Sequence, residues 1–375
     1  MRARDRFPPV VYILVFGILF ALSTVARTTE AYSGDLPVDY GNYVQGIRLL
    51  YQGRNPYTLE FFAPPWIAFL LSPYYLLKHP LFWQTTCALC VIILLIFSYR
   101  WLPEQGSDTR PLILGMTLLF VLPTTIFAIA LGQLSSLVGL AISLAWAFVA
   151  GRKATPWAIS FVLILTTLKI HVVFVPFLLL MAELFRQQAW RTILILALTV
   201  TLLALASSWF LYENWITALM NAVFLGRKFL GGEGLAASFY FSYANAGIPA
   251  VVFIPHLIYV VARWLKEGLH PYLFLLAITL NFLVIPYSRQ YDYVILLPAC
   301  FYLYSQLWNS RWRYGLWVIF WLFFGVLSLF TKLSFLIPAI ILMLLLWLPG
   351  DAVKGCDSNF REKSGSHRLR SAFYP

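Results

Sequence analysis

The sequence predicts an all-α polytopic membrane protein, and two features carry that prediction. The composition is 61% hydrophobic with only 11% charged residues, and apolar runs follow one another along the chain, divided by short basic loops. A mean hydropathy of +0.78 lies far outside the range of soluble globular chains. At roughly 20 apolar residues per hydrocarbon core of about 30 Å, the chain has room for about a dozen spans, and no soluble domain of ordinary size is left over.

In chain order, the first apolar run covers residues 8–26. It follows MRARDR, and no small-residue cleavage site follows it in STVARTTEAYSG, so it reads as a retained first helix rather than a signal peptide. Residues 63–77, APPWIAFLLSPYYLL, form a short run interrupted by Pro64, Pro65 and Pro73. Runs at 81–99, 111–130 and 134–150 come next. The pair at 155–168 and 171–185 is short, which predicts tilted or broken helices lining a cavity. Further runs cover 192–211, 243–262, 271–286, 291–305, 314–330 and 333–349.

Basic clusters between the runs set the expected topology: Arg2, Arg4 and Arg6; Arg152 and Lys153; Arg186 and Arg191; Arg263 and Lys266; Arg311 and Arg313; and a tail with Lys354, Arg361, Lys363, Arg368 and Arg370. The positive-inside rule assigns all of them to the cytoplasm. Counting every run as a span places Arg152 and Lys153 outside, so one earlier run must fail to cross. Residues 63–77 are the best candidate, dipping in and returning or lying in the interface. The expectation is then about twelve spans, both termini cytoplasmic, and one transmembrane domain over 1–350. Its first outer loop covers 27–62 and its long outer loop 212–242, and 351–375 forms a disordered basic tail. The net charge of +12 is topological in this setting and does not indicate nucleic acid. Cys87, Cys90 and Cys300 lie in apolar runs and Cys356 in the tail, so no disulfide framework is visible. The CxxC of Cys87 and Cys90 lacks a second ligand pair and reads as packing.

The first outer loop holds DYGNYVQGIRLLYQGRNPY, residues 39–57. Tyr40, Tyr43, Val44, Ile47, Leu50 and Tyr51 recur with a helical period, opposite Asn42, Gln45, Arg48 and Gln52. Asp39 stands in N-cap position and Gly53 at the C-terminal stop, which predicts a helix lying in the outer interface. On local grounds Asp39 is simply a cap. The same topology brings a polar set to the outer face: Asp35, Asp39, Arg48, Arg54, Asn55 and Glu60; Gln133; Lys169 and His171; Arg289 and Asp292; and Lys332. Ionisable groups at membrane depth are candidates for function by default.

The opening DYGNYVQGIRLLYQGRNPY with PPWIAFLLSPYYLL resembles the first loop of the GT-C glycosyltransferases of family 87, which are similar to polyprenyl-phosphate-mannose-dependent mannosyltransferases. Asp39, Tyr43, Gly53, Asn55, Pro56, Tyr57, Pro64 and Pro65 fit that pattern. GQLSSL from Gly132, LKIH from Leu168 and PYSRQYDYVILLP from Pro286 follow in the same order, so the resemblance covers roughly residues 35–300. Only the ordered set is specific. The chain departs from the family at Ala63, where a Tyr is common, at Ile170, where a Pro is common, and at Arg289 or Gln290, where a Trp is common.

The resemblance implies an inverting glycosyltransferase of the cell membrane. It would move a hexose, mannose by the likeness, from a polyprenyl-phosphate sugar to a hydroxyl of a lipid or glycan acceptor on the extracytoplasmic face. Asp39 matches the family's catalytic carboxylate as general base, with Asp35 as the alternative. Lys169 and Arg289, assisted by His171, are candidates for the donor phosphate, although a long cationic side chain also snorkels to the interface without function. Tyr43, Asn55, Tyr57, Gln133, Tyr291 and Asp292 are the candidate substrate-binding residues. Gln133 serves equally well as a helix-to-helix hydrogen bonder, and Asp292 is placed to pair with Arg289 or Lys169. The glycines of the long outer loop read either as hinges of a cover over the site or as a solvated loop. No cofactor and no metal are expected, because a lipid monophosphate donor needs no metal bridge. The partners expected are donor, acceptor and membrane lipids, without nucleic acid. The competing readings are a transporter or lipid flippase, which would hold its ligands near the bilayer midplane, and a non-catalytic membrane scaffold.

Overall fold

The computed structural model describes residues 38–58, 61, 63–77, 80–99, 110–120, 122–152, 154–225, 247–284, 290–306, 315–316, 319–320 and 336–347. Outside it lie the expected first helix at 8–26, Asp35, Glu60, Arg289, Lys332, most of the run at 314–330, and the basic tail. Among the described residues every regular element is helical.

The first loop folds as the periodicity requires. Helix α1 covers Val38–Tyr51 and buries Tyr40, Tyr43, Ile47 and Leu50. Gly53 ends it at φ 66°, with its N–H donating to Leu50 C=O at 3.0 Å and that of Arg54 to Leu49 C=O at 2.9 Å. This is the paired closure that a left-handed residue makes possible. Asp39 is the second residue of the helix, inside the first turn rather than before it, and a negative charge in a first turn is favoured by the helix dipole. The chain then turns over Asn55, whose side-chain oxygen accepts from Tyr57 N–H at 2.9 Å. It re-enters through α2, Ile67–Leu77. Eleven residues of helix extend about 16 Å, short of a hydrocarbon core.

Among the described residues, four segments are by length and composition long and apolar enough to cross a membrane, Pro80–Ser98, Leu134–Gly151, Pro156–Arg186 and Trp190–Phe210, or five if one bent pair counts as a span. They belong to α3 (Pro80–Tyr99), α6 (Leu134–Gly151), α7 with α8 (Pro156–Thr166 and Phe174–Arg186) and α9 (Trp190–Phe210). The bent pair is α4 (Arg110–Phe120) and α5 (Pro123–Ala130), with a 58° angle between them. The sequence reading took residues 111–130 as one run. The break falls at Pro123, which cannot donate to the preceding turn, and the Leu119 carbonyl left over accepts from Thr125 Oγ1 at 3.0 Å. The expected outer loop at 212–242 opens as a helix, α10 (Trp215–Leu225), while 226–246 lie outside the described residues. Helices α11 (Gly247–Glu267), α12 (Pro271–Val284), α13 (Leu297–Gln306) and α14 (Leu336–Trp347) complete the bundle.

The segment 156–186 is a hairpin rather than one rod. Gln187 Nε2 donates to Val149 C=O at 3.1 Å and Ser160 Oγ to Thr192 C=O at 3.1 Å, so both limbs start and finish beside the end of α6 and the start of α9. Between them, Lys169 stands beside Gln133, at the opposite end of α6. The bundle therefore has two ends with different chemistry. One end carries Arg152, Arg186, Arg191, Arg263 and Lys266, and there the buried carboxylate of Glu183 accepts from Arg186 and, at 2.6 Å, from Trp264 Nε1. At the other are the first loop, the Gly132 turn and Lys169.

Helix α9 fixes how this bundle meets lipid. Trp190, Leu194, Leu198, Leu202, Leu205 and Trp209 form one exposed apolar face. The two tryptophans stand about 28 Å apart along the axis, the thickness of a hydrocarbon core. Tryptophan favours the membrane interface at both ends of such a face. The chain leaving Trp209 meets the first loop: Leu211 C=O lies over Gly53, and Trp215 packs on Trp66 with ring centroids 5.6 Å apart. Trp66 Nε1 in turn donates to Thr167 Oγ1 at 3.2 Å. Trp66 thereby ties the first loop both to the turn that carries Lys169 and to the segment that follows α9.

Candidate functional site

Three chain breaks build the site, and each has a local cause. The first lies between α5 and α6. Gly132, at φ 67°, closes α5 by donating its N–H to Ile129 C=O at 3.0 Å, while Gln133 N–H donates to Ala128 C=O at 2.8 Å. The carbonyls released at this turn are satisfied from α3: Trp83 Nε1 donates to Gly132 C=O at 2.7 Å and Gln84 Nε2 to Ala130 C=O at 2.6 Å. Gln133 thereby becomes the N-cap residue of α6, with its side chain turned inward and 1% exposed. A methyl group added at Gly132 would lie 2.8 Å from Trp83 Cδ1 and 3.3 Å from Tyr40 Cβ. Gly132→Ala is therefore expected to lose about 2 kcal/mol or more of stability, from left-handed backbone strain plus a clash with a buried indole. Gly151→Ala, where a methyl meets nothing within 4 Å, is expected to be neutral or slightly stabilising. Thermal denaturation of the two purified variants checks both.

The second break is the tip of the α7–α8 hairpin, a 3-10 turn over Thr167–Val173 in which Lys169 leaves helical geometry at φ −147° and ψ 56°. The third is the 3-10 turn Gln290–Leu296 that leads into α13 and carries Asp292 in its first turn.

These breaks bring four of the sequence candidates together. Lys169 Nζ donates to Asp292 Oδ1 at 2.5 Å, to Ser135 Oγ at 3.1 Å and to Gln133 Oε1 at 3.2 Å, and it lies 5.1 Å from the centre of the Tyr291 ring. An ammonium has three N–H donors, and all three are used. The Ser135 hydroxyl donates onward to Asp292 Oδ1. Lysine is 10% exposed and aspartate fully buried, so the pair is removed from water on both sides. Because Lys169 can only donate, the amide oxygen of Gln133 must face it. That leaves Gln133 Nε2, on the same carboxamide, buried without a hydrogen-bond partner.

The remaining candidates occupy the surrounding layer. His171 follows Lys169 by two residues and is half-buried. Tyr43 and Tyr57 both pack on Phe61, with ring centroids 6.4 and 5.8 Å apart, and Tyr57 donates to Ala63 C=O at 3.4 Å. Burial raises the Tyr57 hydroxyl above its ordinary pKa, keeping it a neutral donor. These residues and Asn55 shape the first loop and its re-entry toward Trp66. Asp39 is placed by its backbone alone. It precedes Tyr40, whose Cβ borders Gly132, so α1 begins beside the turn that carries Gln133. Arg289 lies outside the described residues.

Two polar residues of the site went unremarked in the sequence reading. Ser135 lies within GQLSSL, and its hydroxyl joins Lys169 to Asp292. Asn281, in the apolar run AITLNFLV, is fully buried and bonds the backbone of His171 and Val175, both beyond Lys169 on the way into α8. No family model matches this chain, and no curated protein matches it.

Proposed function

We propose that this chain is a membrane glycosyltransferase of the GT-C type. It would take a hexose from a polyprenyl-phosphate sugar and attach it, with inversion, to a hydroxyl of a lipid or glycan acceptor. The observation that carries this reading is the cluster of Lys169, Asp292, Ser135 and Gln133, gathered at one end of the bundle near the start of α1. In the reaction, Asp39 takes the proton of the acceptor hydroxyl while its oxygen bonds to the anomeric carbon. The bond from that carbon to the phosphate oxygen breaks, and its electron pair leaves with the lipid phosphate. Gln133 Nε2, which has no partner, donates to the departing phosphate, and Lys169 stabilises it by exchanging one of its three protein acceptors for a phosphate oxygen.

The transporter reading draws support from the buried ion pair at a helix break. Against it stands the place of the pair along α6, where Lys169 meets the N-cap residue Gln133 at one end of the helix and not its middle. Membranes containing the protein, incubated with a panel of labelled polyprenyl-phosphate sugars, are expected to pass label to a lipid or glycan. Flux of the sugar lipid across sealed proteoliposomes without transfer would favour the transporter instead.

The cytoplasmic assignment of the basic end predicts that the first loop faces outward. In a Cys356→Ser background, an Arg54→Cys protein is expected to react with a membrane-impermeant maleimide on intact cells. Arg54 is exposed, while Cys87, Cys90 and Cys300 are buried. Reaction only after lysis would reverse the orientation.

A further inference from the structure

We infer that Asn281 is the positioning residue for Lys169. A helix hairpin that reverses inside an apolar bundle frees backbone groups that water cannot reach, and each must find a protein partner. At the α7–α8 tip, Asn281 supplies two of them from α12. Its Nδ2 donates to His171 C=O at 3.0 Å, and its Oδ1 accepts from Val175 N–H at 2.9 Å. These contacts lie two and six residues beyond Lys169, and one carboxamide therefore clamps the limb that leaves the tip. The residue is fully buried, and its two roles use both ends of the amide, which fixes the orientation of the group.

The consequence is geometric. Lys169 holds three acceptors only while its backbone keeps the non-helical conformation at φ −147° and ψ 56°. Nothing in the Lys169 side chain enforces that conformation. The clamp resists the two limbs regularising through the tip, which would swing the ammonium off Asp292. Thr279, two residues earlier and equally buried, donates only to Leu275 C=O of its own helix. The role of Lys169 toward a phosphate rests on the reading above, whereas its positioning by Asn281 stands apart from any activity.

The test is therefore made on the lysine itself. Purified full-length protein is pulsed with an amine-acylating reagent, and labelling of Lys169 is read by mass spectrometry against the exposed Lys266. Asn281→Leu, close in size but unable to bond, is expected to raise the Lys169 rate about tenfold, the effect of one net buried hydrogen bond, and to leave Lys266 unchanged. Thr279→Val is expected to change neither. A folded Asn281→Leu protein with wild-type labelling at Lys169 overturns the inference. So does an equal rise in the Thr279→Val protein. If the leucine variant does not fold, the unmodified protein decides by hydrogen exchange: the Val175 amide is expected to be protected, and rapid exchange there overturns the inference. Failure of sugar transfer in every assay would remove the glycosyltransferase reading and leave this result standing.

Discussion

Replacing Asp39 by Asn is expected to leave a folded, inserted protein whose sugar transfer falls by roughly a hundredfold to ten-thousandfold, the range over which a general base contributes. The substitution keeps the size and hydrogen-bonding reach of the side chain. Asp39 also sits inside the first turn of α1, so losing its charge removes only a modest dipole interaction, about 0.3–1 kcal/mol. Stability and activity should therefore separate: a melting curve close to wild type beside near-complete loss of transfer. Asp35→Asn, measured in parallel, is expected to retain transfer. If the two results exchange places, the base is Asp35. If both variants keep full activity, no first-loop carboxylate acts and the transferase reading falls. The assay uses labelled polyprenyl-phosphate mannose in membranes, with inserted protein quantified in each sample.

The helical membrane character was legible because it is written in bulk composition, and the first loop because its period and its stop at Gly53 are local. Gln133, Lys169 and Asp292 were visible for a different reason. Polar groups at membrane depth are costly enough that few occur without a purpose. Their assembly was not visible. Asp292 is 157 residues from Ser135 and 123 from Lys169, and nothing local distinguishes Lys169 from Arg289 as its partner. Ser135 was missed because a serine in an apolar helix commonly bonds its own preceding turn, as Ser98 does with Leu94 C=O, so the residue type alone carries no message. The bend at Pro123 could have been read from its proline. It was obscured by the unbroken hydropathy of residues 111–130, which reports transfer to lipid and not backbone continuity.

The variant with the second large effect is Lys169→Met, and its interpretation depends on a companion. Removing the ammonium takes from the fully buried Asp292 carboxylate its ion-pair partner, and breaking a buried pair from one side typically costs about 3–5 kcal/mol. Lys169→Met alone is thus expected to be strongly destabilised, and loss of activity in it would carry no message about chemistry. Adding Asp292→Asn removes the stranded charge. The amide still accepts from Ser135, and the double variant is expected to recover most of the lost stability, because replacing both members of a buried ion pair is far milder than breaking it. The two readings of Lys169 now diverge. A lysine that serves only to neutralise Asp292 is dispensable once that charge is gone, and the double variant would regain transfer along with its fold. A lysine that stabilises the departing lipid phosphate is not replaced by restoring stability, and the double variant would be stable yet depressed in turnover by about a hundredfold or more. The second outcome is expected, since Gln133 Nε2, buried without a partner beside Lys169, marks a place where an acceptor is missing. Denaturation midpoints and initial transfer rates for the wild type, both single variants and the double variant form the complete cycle.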